Sequence, residues 1–228
     1  MLIMENVCKT YDGEKDALHD VNVHIMPGEF VFLVGPSGSG KSTFIKTIFK
    51  EINPDSGDVW VNGVYTNDLS HEQIPRLRRL LGIVFQDYRL LPDRTVYENV
   101  AFAMRVVEAP PVIIRRRVMY VLDLVGLKER ADSKPSELSG GEQQRVAIAR
   151  AFVNDPKMII ADEPTGNLDP DTAWEIMKIF QAINKSGTTI IMATHDQGIV
   201  DRMGKRVIAI ENGQIVRDQK RGFYGYQS

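Results

Sequence analysis

An α/β fold built on a buried parallel sheet is what this sequence predicts, and three observations predict it. Phe30–Val34, Met158–Ala161 and Thr189–Ala193 are apolar almost throughout. Such runs suit strands covered on both faces, since a strand with one wet face alternates instead. Each run leads to a residue with chemistry to offer, namely Gly35, Asp162 and His195. The first run also opens into Gly35-Pro36-Ser37-Gly38-Ser39-Gly40-Lys41-Ser42, a G-x-x-x-x-G-K-[ST] loop, and Thr43–Phe49 can form the helix that should follow it. Ligands of open α/β sheets bind beyond the carboxyl ends of the strands, so three strand ends direct their chemistry to one edge.

The other elements follow in order. Val21, Val23 and Ile25 alternate with Asn22 and His24, the period of a half-buried strand. Asp58–Val61 and Val64–Tyr65 flank Asn62-Gly63, a hairpin signal of the positive-φ type. Residues 95 to about 153 read as helical. Thr95 and Glu98 form a capping-box pattern, and Val96, Val100, Met104 and Val107 then share one face. Pro110-Pro111 ends that segment; Ile114, Val118, Val121, Leu122 and Val125 mark the next helix, with Gly126 as its stop. Ser139 and Glu142 are a second capping box, opening a helix over Gln143–Val153. Ile208–Ile210 and Gln214–Val216 flank Asn212-Gly213 as a second hairpin.

Length and composition set bounds. The 228 residues suit one domain, with 43% hydrophobic and 25% charged residues as in ordinary globular chains. A net charge of −2 gives no reason to expect nucleic acid as a partner. Cys8 is the only cysteine, which excludes an internal disulfide; lying in an apolar run, it is expected to pack in the core. Met1–Asp16 carries charges throughout and lacks the apolar stretch of a signal peptide. No run approaches the roughly 18 apolar residues that span a bilayer, so a membrane role is expected to pass through a separate chain. Arg76, Arg78 and Arg79, and Arg115-Arg116-Arg117, are expected to be solvated helix faces, with anionic lipid or a partner as the alternative.

The glycines of the phosphate loop let backbone N–H groups wrap an anion, and the helix behind them adds favourable charge. Lys41 should reach the β- and γ-phosphates and Ser42 should offer its hydroxyl to Mg²⁺. Asp162 and Glu163 close an apolar strand, a common acidic strand end taken alone. Between these blocks lies Leu138-Ser139-Gly140-Gly141-Glu142-Gln143-Gln144. A helix N-terminus that begins with two glycines is an open anion site as well as a capped end. With one loop already serving the phosphates, a second clamp implies a partner subunit.

The three blocks in this order resemble the ATPase subunits of ABC systems, over nearly the whole chain. The resemblance implies a P-loop NTPase (RecA-like) core with antiparallel β elements and an ABC-type helical subdomain. It implies one domain over 1–228, with the core at about 1–87 and 157–228 and the helical part at about 88–156. It implies ATP hydrolysis with Mg²⁺, in a homodimer that sandwiches two ATP. Tyr11, Gly35, Pro36, Ser37, Gly38, Ser39, Gly40, Lys41, Ser42 and Thr43 would bind ATP, Tyr11 by stacking on adenine, although an aromatic in a strand is more often core. Ser42, Gln86 and Asp162 would hold the metal. Glu163 would polarise the attacking water, with Lys41, Gln86 and His195 assisting. Ser139, Gly140, Gly141 and Asp169 would reach the partner copy's nucleotide.

Within the family, Phe85–Val100 and the ending Arg221–Tyr226 resemble the bacterial cell-division branch. That implies an FtsX-like integral membrane partner, a place on the cytoplasmic face of the membrane, no nucleic acid, and only indirect action on cell-wall hydrolases outside. Among Tyr88, Leu90, Leu91, Tyr97, Phe102 and Met104, those left exposed are expected to line a groove for a short helix of that partner. Engines for lipoprotein release or macrolide export share the pattern and stay open as alternatives, as does a nucleotide-gated scaffold. A GTPase is disfavoured, because Asn184-Lys185-Ser186-Gly187 lacks the carboxylate of N-K-x-D.

Overall fold

A computed structural model describes residues 1–11 and 16–225 of the chain. It divides into two compact units, one formed by Met1–Arg78 with Thr189–Ser228, the other by Arg79–Thr188. In chain order the first unit begins with β1 (Leu2–Thr10), β2 (Asp16–Ile25), β3 (Phe30–Val34), α1 (Lys41–Ile48), β4 (Ser56–Val61), β5 (Val64–Tyr65) and α2 (Ile74–Arg78). The second unit holds β6 (Leu81–Val84), α3 (Val96–Val106), α4 (Pro111–Leu124), α5 (Gly140–Phe152), β7 (Met158–Asp162) and α6 (Pro170–Lys185). The first unit then resumes with β8 (Thr189–Ala193), α7 (Gln197–Met203), β9 (Arg206–Glu211) and β10 (Gln214–Gln219).

In the first unit, β2-β1-β4-β5 form an antiparallel sheet. Leu2, Met4, Val7, Leu18, Val21, Ile25, Val59 and Val61 line its buried face. Elsewhere in the unit, β3 pairs in parallel with β8 (Phe30 opposite Ile190) and with β9 (Val31 opposite Arg206), and β10 returns antiparallel on β9. Every residue of β3 and β8 is buried, which is why neither run alternates. Both hairpin turns carry the left-handed pair their sequence demands: Asn62 and Gly63 at φ 50° and 78°, Asn212 and Gly213 at 49° and 80°.

In the second unit β6 and β7 are parallel, Leu81 opposite Met158 and Val84 opposite Ala161. Thr95 caps α3 through the predicted box: its hydroxyl accepts from Glu98 N–H, and Glu98 accepts from Thr95 N–H. Inside α3 the buried Asn99 holds the preceding loop, bonding both Leu91 N–H and Leu91 O as well as the carbonyls of Arg94 and Thr95. Ser139 caps α5 in the same way, with Glu142 accepting from its N–H.

Some expectations need correction. Pro111 does not merely end a helix; it is the first residue of α4, where its missing N–H costs nothing. The helix predicted over Gln143–Val153 starts earlier, at Gly140. Cys8 is half-buried rather than core, its sulfur accepting from Asp20 N–H in the irregular β1–β2 pairing. The arginine clusters are not wholly solvated either. Arg78 donates to the carbonyls of Phe49 and Lys50, while Arg117 donates to Val153 O and pairs with Asp155. Of the segment Arg221–Tyr226, Tyr226 lies outside the described residues.

Candidate functional site

The predicted site residues fall in both units, and each group has its own geometry. In the first unit β3 delivers Gly35 at φ 147°, and a side chain there would place its Cβ 2.1 Å from Ile210 O. Gly40, at φ 112°, caps α1, and its Cβ would stand 2.3 Å from Ala17 O. Only glycine fits either position. The loop between them is braced from behind, for Gly213 N–H donates to Ser39 O at 2.9 Å and His19 N–H to Gly213 O at 2.8 Å. No side chain caps α1, so the N–H groups of its first turn open toward the loop.

The buried Lys41 donates from Nζ to Gly35 O at 2.8 Å and to Pro36 O at 2.9 Å. Ser39 Oγ is buried with no partner among the described residues, an orphaned donor in an anion-shaped loop. Ser42 is exposed and Thr43 buried; Pro36, Ser37 and Gly38 form the exposed outer arc. Tyr11 stands 44% exposed with Lys9 Nζ 5.9 Å from its ring, which makes it a surface aromatic and not a core one. His195 is exposed two residues beyond β8, and Thr194 N–H bonds Leu33 O at 3.2 Å. The loop and His195 thus leave neighbouring parallel strands at the same end.

In the second unit, β6 and β7 deliver Gln86 and Asp162-Glu163 at one end in the same manner. Gly166 marks how near the two functional groups come. A Cβ on Gly166 would lie 3.3 Å from Gln86 Nε2 and 3.6 Å from Glu163 Oε2. An amide and a carboxylate therefore flank one small space. Glu163 itself is left-handed at φ 47°, a conformation that a glutamate holds only where its surroundings enforce it.

The Ser139–Gly141 corner belongs to the same unit. Ser139 is exposed, and Glu142 Oε2 accepts from both its N–H (2.8 Å) and its Oγ (2.9 Å). These bonds, the backbone one foremost, hold the Glu142 carboxyl below its ordinary range. Gly141 is buried on Thr172, whose Cγ2 would be 2.4 Å from an added Cβ. Asp169 caps α6 by accepting from Thr172 N–H at 3.0 Å, and its bonds to Thr172 lower its pKa. Thr172 thus joins the corner to the Asp169 turn.

Arg150 was not foreseen from the sequence, and Tyr88 was expected only as a groove residue. Tyr88 places its hydroxyl 3.1 Å from a Cβ added on Gly140, and Arg150 donates to Tyr88 O at 2.7 Å. The only signal for Arg150 was a cation set in the apolar face Val146–Phe152. Of the groove-lining candidates, Met104 is buried and Tyr88 half-buried. A groove of about 310 Å³ does exist nearby, lined by Leu91, Pro92, Glu98, Phe102 and Arg105 among others. Among the described residues, no helix is long and apolar enough to cross a membrane.

The chain as a whole resembles known proteins. A family model described as ABC transporter matches residues 18–166. The chain is 57% identical over 223 residues to the cell division ATP-binding protein FtsE of Streptococcus pneumoniae, covering 98% of this chain and 97% of that one. The protein of the same name from Bacillus subtilis is 56% identical over 225 residues, covering 99% of each. That of Escherichia coli is 46% identical over 215 residues, covering 94% of this chain and 97% of the other. Among solved structures, the dimeric post-hydrolysis state of the ATP-binding cassette MJ0796 bound to ADP and Pi is 39% identical. Its TM-score is 0.87, with 98% of this chain and 100% of that one covered.

Proposed function

We propose, since this chain belongs to the ABC transporter family, that it is the ATP-hydrolysing engine of a bacterial cell-division machine. Family membership makes it an ATPase that binds its nucleotide in the manner of ATP-binding cassettes. The division role is supported by near-full-length identity to proteins named for it in distant bacteria.

The observation that carries the mechanism is the convergence of Gln86 and Glu163 on one space. Phosphoryl transfer asks for positioning and charge stabilisation more than for covalent chemistry. Glu163 is assigned to orient and polarise the attacking water, with Gln86 sharing the hold and His195 contacting the γ-phosphate. The backbone N–H groups of residues 36–43, the Lys41 ammonium and the orphaned Ser39 hydroxyl are assigned to the phosphates, and Tyr11 to the adenine face. Lys41 would exchange its bonds to Gly35 O and Pro36 O for phosphate oxygens.

Ser42, Gln86 and Asp162 are assigned to Mg²⁺, and the donor set fits. A hydroxyl, an amide oxygen and one carboxylate are hard oxygen ligands. Among the described residues no three His, Cys, Asp or Glu side chains gather into a metal cage, which suits an ion held largely by phosphate and water. When bound, the ion would neutralise charge on the β- and γ-phosphate oxygens.

The solved cassette is a dimer, and we assign the same assembly here, with Ser139, Gly140, Gly141 and Asp169 serving the partner copy's ATP. The exposed corner at the α5 N-terminus supports this reading. An FtsX-like membrane protein is the proposed partner, holding the chain at the cytoplasmic face through a short helix seated in the groove beside Leu91 and Phe102. The test is co-purification from detergent-solubilised membranes. Recovery of an FtsX-like chain is expected. A substrate-translocating permease in its place would overturn the division role and leave the ATPase standing.

A further inference from the structure

The loop after β6 turns through two consecutive left-handed residues, Tyr88 at φ 57° and Arg89 at φ 48°. Such backbone is unfavourable outside glycine and persists only where neighbours over-determine it. Its own ties are local: Tyr88 N–H to Phe85 O at 3.3 Å, Arg89 N–H to Asp87 O at 2.6 Å, and the Arg89 guanidinium 3.8 Å from the Phe85 ring centre. Among the described residues, the two left-handed residues are tied from outside the loop by Arg150 of α5. Its Nη1 donates to Arg89 O at 2.5 Å and its Nη2 to Tyr88 O at 2.7 Å. A planar guanidinium meets the two adjacent carbonyls from two separate nitrogens held in one plane, a fixed geometry that the single nitrogen of an ammonium does not reproduce.

Arg150 is partly buried, and burial lowers its pKa; among the described residues no carboxylate pairs with it. A desolvated cation balanced only by carbonyls is an unfavourable placement unless those carbonyls are what it is for. The same helix meets the loop a second time at its other end. There the Tyr88 hydroxyl lies 3.1 Å from the position of a Cβ on Gly140. One helix thus grips the Gln86 loop at its N-terminal corner and again ten residues later, about 15 Å along its axis.

We propose that Arg150 is a positioning residue of the ATPase reaction, locking the Tyr88–Arg89 backbone to α5 so that Gln86 and the Ser139–Gly141 corner move as one piece. A shift of the corner as it meets the partner copy's nucleotide is then transmitted to the amide that stands beside Glu163. This role rests on the assignment of Gln86 to hydrolysis, and a double-mutant cycle separates the two.

Steady-state hydrolysis is measured on the full chain for Gln86→Ala, Arg150→Met, Arg150→Lys and the Gln86→Ala/Arg150→Met double variant, with thermal melting and binding of a fluorescent ATP analogue alongside. Arg150→Met is expected to lower kcat by about 10- to 100-fold, the cost of a small misplacement, with KM changed less than about threefold. Arg150→Lys, which keeps charge and stem but loses the fork, is expected to fall between. In the Gln86→Ala background the Arg150 change is expected to cost less than about twofold more, because both act through one element. Equal loss in both backgrounds, or full activity of either folded Arg150 variant, overturns the latch while leaving Gln86 in its role. Full activity of Gln86→Ala overturns that role and the latch with it. If Arg150→Met melts below the assay temperature, Arg150→Lys carries the same cycle.

Discussion

The phosphate loop and the Gln86 loop both leave a strand of a parallel pair and both carry residues assigned to the reaction, yet they are built on opposite principles. The first is fixed by absence of side chains: Gly35 and Gly40 lie so close to Ile210 O and Ala17 O that nothing larger fits. The second is fixed by side chains that reach in from elsewhere, with the Arg150 fork holding two left-handed residues. A loop defined by backbone contact has one geometry. A loop defined by a guanidinium on a neighbouring helix can follow that helix, which suits the coupling proposed for it.

The largest effect expected breaks the comparison at its chemical end. Glu163→Gln keeps the shape of the space beside Gln86 and loses water activation, so turnover should fall about 10²–10⁴-fold, the usual worth of a general base. ATP binding should survive, and light scattering with Mg-ATP should show an accumulated dimer. Near-normal turnover would place the catalytic carboxylate elsewhere. Lys41→Ala tests the rigid loop instead. Loss of a charge-assisted contact to two phosphates should weaken ATP binding about 100-fold in a labelled-ATP titration. Near-native affinity would remove the loop from its assigned role.

Ser139→Arg sharpens the contrast between cis and trans function. Binding by the variant's own loop should be unchanged, while the bulky cation blocks the nucleotide-dependent dimer in size-exclusion chromatography. Mixed with Lys41→Ala, each hybrid dimer has one doubly defective site and one intact site, so partial recovery of activity is expected. A variant that still dimerises normally would show that the corner does not face the partner's ATP.

Smaller effects belong to the caps. Thr95→Ala removes one half of the α3 capping box and should cost about 1 kcal/mol, lowering the melting temperature about 2–4 °C without changing nucleotide affinity. The Ser139–Glu142 box adds a pH signature. The folded carboxyl titrates below its ordinary 4.5, so its stabilisation is full above that value and is lost as pH falls through the lower folded pKa. Glu142→Gln should therefore melt with a shallower decline below pH 4.5 than the parent chain. Parallel curves would show that the box contributes nothing to acid stability.

What the sequence made legible was whatever depends on near neighbours. Asn62-Gly63, Asn212-Gly213 and the two capping boxes are local chemistry, and the unbroken apolarity of β3 and β8 reports burial on both faces. The phosphate loop was readable because its glycines answer to backbone geometry. Cys8 was misjudged because its burial depends on an irregular pairing between β1 and β2 that no period encodes. Arg150 went unseen, and Tyr88 was read only as a groove residue, for a related reason. The acceptors of Arg150 are main-chain carbonyls some sixty positions away, and a carbonyl has no letter in the sequence.

The bracing of the phosphate loop by the β9–β10 turn has a bearing on synthesis. Gly35 nests under Ile210 O, and Ser39 O is held by Gly213 N–H. Phosphate-loop residues leave the ribosome well before the turn that backs them. Until then the loop lacks the contacts that set its curvature, however well its own sequence is suited to ATP. Nucleotide capture should thereby wait on synthesis of that turn, and a fragment truncated before Ile210 is expected to lose affinity in a labelled-ATP titration.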